Sequence, residues 1–301
     1  VNRSLARGDV VNMIDISRSE RATGTIHSES LTEAVRAIRK DGYVILLGVI
    51  DPEHIHEIQP RMLQDVPSIE SLKEPPYQFV RGHIQQDPPP FEPYLFKDVV
   101  CNEIVVAITE AILGNGVRNT FYSGNTNLPG SVRQPVHVDQ GHLWPHMEHP
   151  HPANMLVVNV PVINMTAHNG SIELTPGSHC DTTVAWGDSI RVPEEDVLSR
   201  TDTHPPLQPE VPIGGILIRD MRLWHRGMPN LSNRPRPMIA MIHVCSWMRS
   251  EEIRIATGCE SYFEHSHLET SASYVDEPID YLTHHKSYDL RPQEFQTGSP
   301  F

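Results

Sequence analysis

The sequence predicts a mainly β protein, an antiparallel sandwich or barrel with flanking helices, and three observations carry that prediction. The N-terminal third alternates helical and strand-type patterns. From residue 119 short β-type runs follow one another without intervening helices, punctuated by Gly, Pro and Asn. The 27 prolines, well above the average of about 5% of residues, demand many short elements joined by ordered loops.

Taken in order, Leu31, Val35 and Ile38 recur at i, i+4 and i+7 behind a Ser30/Glu33 capping box and ahead of Gly42, so a helix is expected over 31–41. Residues 43–47 (YVILL) form a buried-strand run. Asp51 and Pro52 then supply an N-cap and an N1 proline for a second helix carrying Ile55, Ile58 and Met62. A third helix is expected over 99–113, marked by Val100, Ile104, Ile108 and Ile112 and stopped by Gly114. The prolines at 75–76 and 88–90 place loops between them. Strand-type runs follow at 119–122, 134–142, 155–163, 171–175, 215–220 and 238–247. The polar, proline-rich segment 181–213 has no strand signal, and about 30 such residues within a compact domain usually make a functional loop or lid. The tail from Glu251 is polar and weakly periodic and is expected to wrap the surface.

A length of 301 residues suits one large domain better than two, with a helical buttress at 31–113 and a β core at 119–247. The 38 acidic residues outnumber the 24 Lys and Arg, which argues against nucleic acid and anionic membranes as partners. No run approaches the ~18 apolar residues of a membrane helix. The first ten residues also lack the apolar stretch of a signal peptide, so a cytoplasmic location is expected. Cys101, Cys180, Cys245 and Cys259 form no C-x-x-C pair and are expected to be reduced thiols. The expected partner is a small molecule, and a homodimer is left open.

Histidine is the unusual ingredient. With 18 of them, an H-x-D tripeptide arises by chance about once, so context must separate the two that occur. His137 and Asp139 lie inside a strand-type run, and residues i and i+2 of a strand leave the same face, so imidazole and carboxylate project together into the sandwich. His179 and Asp181 instead follow a Pro-Gly turn, where no common face is guaranteed. His225, closing the apolar run from Gly214, is the best placed third ligand. Two His and one carboxylate are the facial triad of non-heme Fe(II) oxygenases. His142 and Trp144 continue the His137 run and are expected nearest the substrate, whereas His146, His149 and His151 crowd among prolines in a loop at the pocket mouth. His243 has odd spacing from Arg236 and is expected to face away from it.

The stretches HVDQGH at 137–142, PGSH at 176–179 and LWHRGMPNLSNRPR at 223–236 resemble the phytanoyl-CoA dioxygenase-like family of Fe(II)/2-oxoglutarate oxygenases, with a texture most similar to fungal members that modify secondary metabolites. DGYVILLGVIDPEHI resembles that family's opening helix-strand-helix, so the likeness runs from about residue 31 to about 247. It implies a double-stranded β-helix, a cupin-like jelly roll, with Fe(II), 2-oxoglutarate and O2 as cofactor and co-substrates. It further implies that 2-oxoglutarate pairs with an arginine eleven residues past the distal histidine, here Arg236. Strand parity alone leaves Arg234 equally open. A guanidinium suits that task because it grips a carboxylate through two parallel charge-assisted bonds. Gln134 matches the polar amide that the family places just before the first ligand, a candidate co-substrate donor. The implied function is oxidation of a C–H bond in a small, largely apolar metabolite, by hydroxylation, desaturation or a related outcome. A cupin-like isomerase or hydrolase using the same metal ligands without 2-oxoglutarate is the alternative. A binding protein with a vestigial site is a third, disfavoured because every ligand position is filled.

Overall fold

The computed structural model describes residues 11–187, 189–249 and 251–288. In chain order the elements are β1 (Met13–Asp15), α1 (Arg18–Thr23), α2 (Ser28–Asp41), β2 (Tyr43–Leu47), α3 (Pro52–Glu70), β3 (His83–Gln85), α4 (Lys97–Val100), α5 (Glu103–Leu113), β4 (Val117–Asn127) and β5 (Met155–Pro161). There follow β6 (Ile172–Leu174), α6 (Glu194–Thr201), β7 (Ile216–Asp220), β8 (His225–Gly227), β9 (Arg236–Val244), β10 (Ile253–Ala256), α7 (Glu260–Phe263), β11 (Leu268–Thr270) and β12 (Ala272–Val275).

Local chemistry accounts for most boundaries and corrects two of them. The Ser30/Glu33 capping box does not form, because α2 starts earlier with His27 as an N-cap that makes no side-chain bond. Gly42 ends that helix at φ 83, where a β carbon would meet His179 and Leu223 at 2.7 Å, so only glycine allows the immediate turn into β2. Asp51 caps α3 by accepting from Glu53 N–H at 3.1 Å. The single helix expected over 99–113 is two, because the Asn102 side chain accepts from the Ile104 and Val105 N–H groups and starts α5 afresh. No helix among the described residues is long and apolar enough to cross a membrane.

The strands build an eight-stranded sheet in the order β1-β2-β7-β5-β9-β4-β11, with β3 also paired to β4. One face packs against α2, α3 and α5 through Ile38, Ile55, Ile58, Met62, Ile104 and Ile108, which meet Val44, Leu156, Val158, Ile218, Ile239 and Met241 in one apolar core. The other face looks toward a small sheet. There β6 pairs β8, and a row of antiparallel bridges runs Leu207, Leu174, His225, His137, Arg191 across the backbone. Tyr43, Ile45, Leu217 and Met238 of the large sheet pack with Ile172, Leu174 and Leu223 of the small one. This is the double-stranded β-helix, mainly β with helices on one side.

Three expectations need correction. Residues 134–142 are not a continuous strand; His137 bridges His225 and Arg191, while His142 bridges Ala185. Pro135 lacks a donor and the backbone swings at Asp139 and Gln140, whose N–H groups both point at the Met221 carbonyl. The segment 181–213, which carries no strand signal in the sequence, nonetheless pairs with the sheet: Arg191 and Leu207 place it on both edges of the small sheet and α6 lies between them. The tail carries β10 paired parallel to β12 and β11 paired parallel to β4, and it buries Phe263 and Leu268 in the main core.

Candidate metal centre

His137 and His225 face each other across the small sheet because each donates its backbone N–H to the other's carbonyl at 2.9 Å. Their rings lie 4.3 Å apart between centroids. The side-chain orientation is fixed from behind. His137 Nδ1 lies 2.9 Å from the Pro135 carbonyl and His225 Nδ1 lies 2.9 Å from the Leu223 carbonyl, contacts that require Nδ1–H as donor. Each imidazole therefore keeps its Nε2 lone pair, the tautomer a metal needs. Asp139 completes the group, with Oδ1 3.4 Å from His225 Nε2. The ligand atoms of His137, Asp139 and His225 all lie within 4.8 Å of one another.

The electrostatics suit a cation. Burial and the neighbouring His225 push the His137 imidazole well below its ordinary value, so it stays neutral. Burial would raise the Asp139 carboxyl, but the Arg219 guanidinium and His225 outweigh it and hold the group far below the carboxylate range. Arg219 had no assigned role in the sequence. Its Nη2 lies 2.6 Å from Asp139 Oδ2, its Nε donates to Asn159 Oδ1 at 3.2 Å, and its Nη1 is buried without a hydrogen-bond partner among the described residues. A lone arginine inside the apolar run ILIRD was the available signal, since a buried cation in a strand needs a carboxylate.

Behind β8 lies a second charged feature. Arg236 is buried, donates Nη2 to the Gly170 carbonyl at 2.8 Å and Nε to the Asn169 carbonyl at 3.4 Å, and pairs with no carboxylate among the described residues. Burial alone pulls its guanidinium down to about 10. Arg234, the other choice by parity, is exposed beyond the start of β9. His83 connects the two features: a β carbon on Gly227, two residues past His225, would sit 2.5 Å from the His83 ring, and the Arg236 charge helps lower His83 to about 4, after burial as the main cause. Gln134 accepts from the Gly227 N–H at 2.7 Å and donates to the Gln78 carbonyl at 3.1 Å, so its amide ties β8 to the preceding loop.

The other sequence candidates have contacts of their own. His142 is buried, bonded through Nε2 to the Asp181 carbonyl at 2.9 Å and packed near His151, with Arg222 and Asp220 among the charges it feels. Trp144 is 59% exposed. Their expected place beside the substrate rested on a strand that continues past His137, and that strand is absent. His179 Nε2 bonds the Arg39 carbonyl at 3.2 Å, and Ser178 Oγ accepts the Trp224 N–H at 2.8 Å, so the PGSH turn braces the approach to His225. His243 points to the helical side, 3.0 Å from Thr109, and burial takes it down to about 3.

The face of the large sheet turned toward the metal group carries polar side chains. Asn159 is in register with Ala240, and Ala240 with Ser123, so the three share the face that carries Arg219. Asn125, Gln85 and Ala240 stay partly exposed in mid-sheet.

The model of the family described as phytanoyl-CoA dioxygenase (PhyH) matches residues 38–238. Among solved structures, the non-heme alpha ketoglutarate dependent carbocyclase SnoK from nogalamycin biosynthesis is 15% identical with a TM-score of 0.55, over 73% of this chain and 84% of that one. EctD from S. alaskensis in its apoform is 17% identical with a TM-score of 0.55, over 82% and 85%. AviO1 from Streptomyces viridochromogenes Tue57 is 20% identical with a TM-score of 0.54, over 74% and 99%. These likenesses support the jelly-roll fold.

Proposed function

Because the chain belongs to the phytanoyl-CoA dioxygenase (PhyH) family, we propose that it is a non-heme Fe(II)- and 2-oxoglutarate-dependent oxygenase of a small molecule. The observation that carries this reading is the pairing of a two-His, one-carboxylate group with a buried guanidinium that no carboxylate among the described residues neutralises. The donor set fits iron: two imidazoles with free Nε2 atoms and an ionised carboxylate leave the remaining positions open. His137, Asp139 and His225 would hold the metal, and Arg236 would hold the far carboxylate of 2-oxoglutarate. Arg219 keeps one oxygen of Asp139 occupied, which orients the other toward the metal position. Bound there, iron with 2-oxoglutarate and O2 supplies oxidation of a substrate C–H bond, with succinate and CO2 released.

The sequence suggested a largely apolar substrate, and we infer a more polar one. Arg219, Asn159, Ser123, Asn125 and Gln85 give the sheet face beside the metal group a polar surface, which would suit a substrate presenting hydroxyl, carbonyl or carboxylate groups beside the carbon that reacts. A place in secondary-metabolite biosynthesis is supported by the likeness to a carbocyclase from nogalamycin biosynthesis. Hydroxylation, desaturation, ring closure and endoperoxide formation begin from a C–H step, whereas epoxidation of an alkene would add the oxygen across C=C. The test is succinate release by the iron-loaded protein against a panel of polar and apolar natural products. Release stimulated by polar members supports the proposal. Turnover of any substrate without 2-oxoglutarate would favour the cupin-like isomerase or hydrolase.

A further inference from the structure

A second cluster of metal-ligating side chains lies outside the candidate centre. Asp87 follows β3, His284 and His285 come from the tail, and their ligand atoms all lie within 4.8 Å of one another. His285 Nε2 is 2.6 Å from Asp87 Oδ1 and His284 Nε2 is 3.3 Å from Asp87 Oδ2. Two donors bound about 2.0–2.1 Å from a tetrahedral ion sit roughly 3.3 Å apart, so a small adjustment admits a metal of zinc type between them. The separations resemble the 3.4 Å between His225 and Asp139. Donor types are the same as at the first group, and among the described residues no Lys or Arg pairs with Asp87.

Position gives this cluster a consequence. His285 Nε2 lies 3.5 Å from Ser123 Oγ, and Gln85 donates to the same oxygen at 3.1 Å, so the cluster sits at the edge of the polar sheet face. Three residues on, the Tyr288 carbonyl accepts from Phe79 N–H at 2.8 Å and the Tyr288 N–H donates to the Tyr77 carbonyl at 2.8 Å. Phe79, at φ 62, lays its ring 4.3 Å from the His137 ring. On the other side Tyr281 donates to Asp65 at 2.9 Å. Residues 281–288 thus form a strap anchored to α3, β3 and the residue that packs on His137.

We propose that Asp87, His284 and His285 bind a divalent transition-metal ion of zinc type that clasps this strap over the edge of the polar sheet face. Water supplies the remaining coordination. The site is independent of the proposed iron chemistry, and its test separates the two.

The chelator-treated chain is titrated with Zn2+ in competition with a chromophoric chelator. The wild type is expected to bind two equivalents. Asp87→Asn and His285→Gln should each leave one, His137→Ala should also leave one, and the combination of His137→Ala with Asp87→Asn should leave none. A His146→Ala/His149→Ala control should keep two, which excludes zinc held by the His-rich loop. Trypsin cleavage after the exposed Lys286 supplies a readout on the wild type alone: zinc at a hundred times its Kd should slow it by up to about a hundredfold, measured against cleavage of a free peptide. A single wild-type equivalent that survives Asp87→Asn and His285→Gln, two equivalents retained in those variants, or cleavage at Lys286 indifferent to zinc would each overturn the proposal. Two equivalents in His137→Ala with one in Asp87→Asn would count against the first metal group and leave the clasp intact.

Discussion

Arg219 and Asp139 form an ion pair, Nη2 to Oδ2 at 2.6 Å, on the carboxylate oxygen that His225 does not approach. The guanidinium thereby divides the carboxylate into one oxygen held by the protein and one left for a metal. Arg219→Ala should weaken metal affinity by about 10–100-fold, the usual cost of losing a group that orients a ligand. Arg219→Lys should rescue only part of this, because an ammonium cannot serve Asp139 and Asn159 together. Competitive Co2+ titration checks both variants, and unchanged affinity in Arg219→Ala would assign the arginine to packing alone.

The three ligand candidates make a separate prediction. His137→Ala, Asp139→Ala and His225→Ala should each abolish turnover while the fold persists, since the large sheet and its helical core do not depend on them. His179→Ala, whose side chain bonds the Arg39 carbonyl, should keep the metal and its activity. Circular dichroism together with bound iron per chain checks the set, and full activity in any of the first three removes that residue from the group.

Asp220 and Arg222 are both buried and joined by two side-chain hydrogen bonds, Nη2 to Oδ2 at 2.7 Å and Nε to Oδ1 at 2.9 Å. Burial raises the Asp220 carboxyl, and the bonds and charge of Arg222 outweigh it, leaving the group below its ordinary value. A carboxyl depressed in the folded state stabilises fully above its unfolded value of ~3.9 and loses that contribution as pH falls toward the folded value. Asp220→Asn should cost about 3–5 kcal/mol at neutral pH by stranding Arg222. It should also flatten the loss of stability on going below roughly pH 4. Urea midpoints measured across pH 3–7 test this, and parallel curves for wild type and variant would contradict it.

Shortening 181–213 tests how that segment serves the site. A simple lid would, when cut, uncouple 2-oxoglutarate consumption from product while leaving the fold alone. Because Arg191 and Leu207 pair with both edges of the small sheet, deletion across them should instead lower thermal stability and metal content together. A deletion confined to α6, between the two edges, should spare metal binding. Retained metal content in the longer deletion would restore the lid account.

The grouping of His137, Asp139 and His225 was legible because H-x-D is a short-range spacing and His225 closes an apolar run. Arg236 was singled out by its interval from His225, and burial now separates it from Arg234. Arg219 escaped because its partner lies 80 positions away and is set by cross-strand register, which no local pattern encodes. For the same reason the bridge from His137 to Arg191 was hidden: segment 181–213 contributes single paired residues and never a strand long enough to show alternation. The helix expected over 99–113 was divided by Asn102, whose capping signal sat within an apolar run that dominated the pattern. The continuous strand expected through His142 and Trp144 failed for a geometric reason, since face parity holds only while the backbone stays extended.

Binding of 2-oxoglutarate without oxygen tests the central claim most directly, because it needs neither the substrate nor turnover. Calorimetry on the anaerobic, Fe(II)-loaded chain should give one equivalent of 2-oxoglutarate. That binding should vanish in metal-free protein, weaken by roughly a hundredfold in Arg236→Ala through loss of about 3 kcal/mol of charge-assisted bonding, and stay unchanged in Arg234→Ala. No binding to the iron-loaded wild type, or binding indifferent to both iron and Arg236, would contradict the assignment of a 2-oxoglutarate-dependent oxygenase.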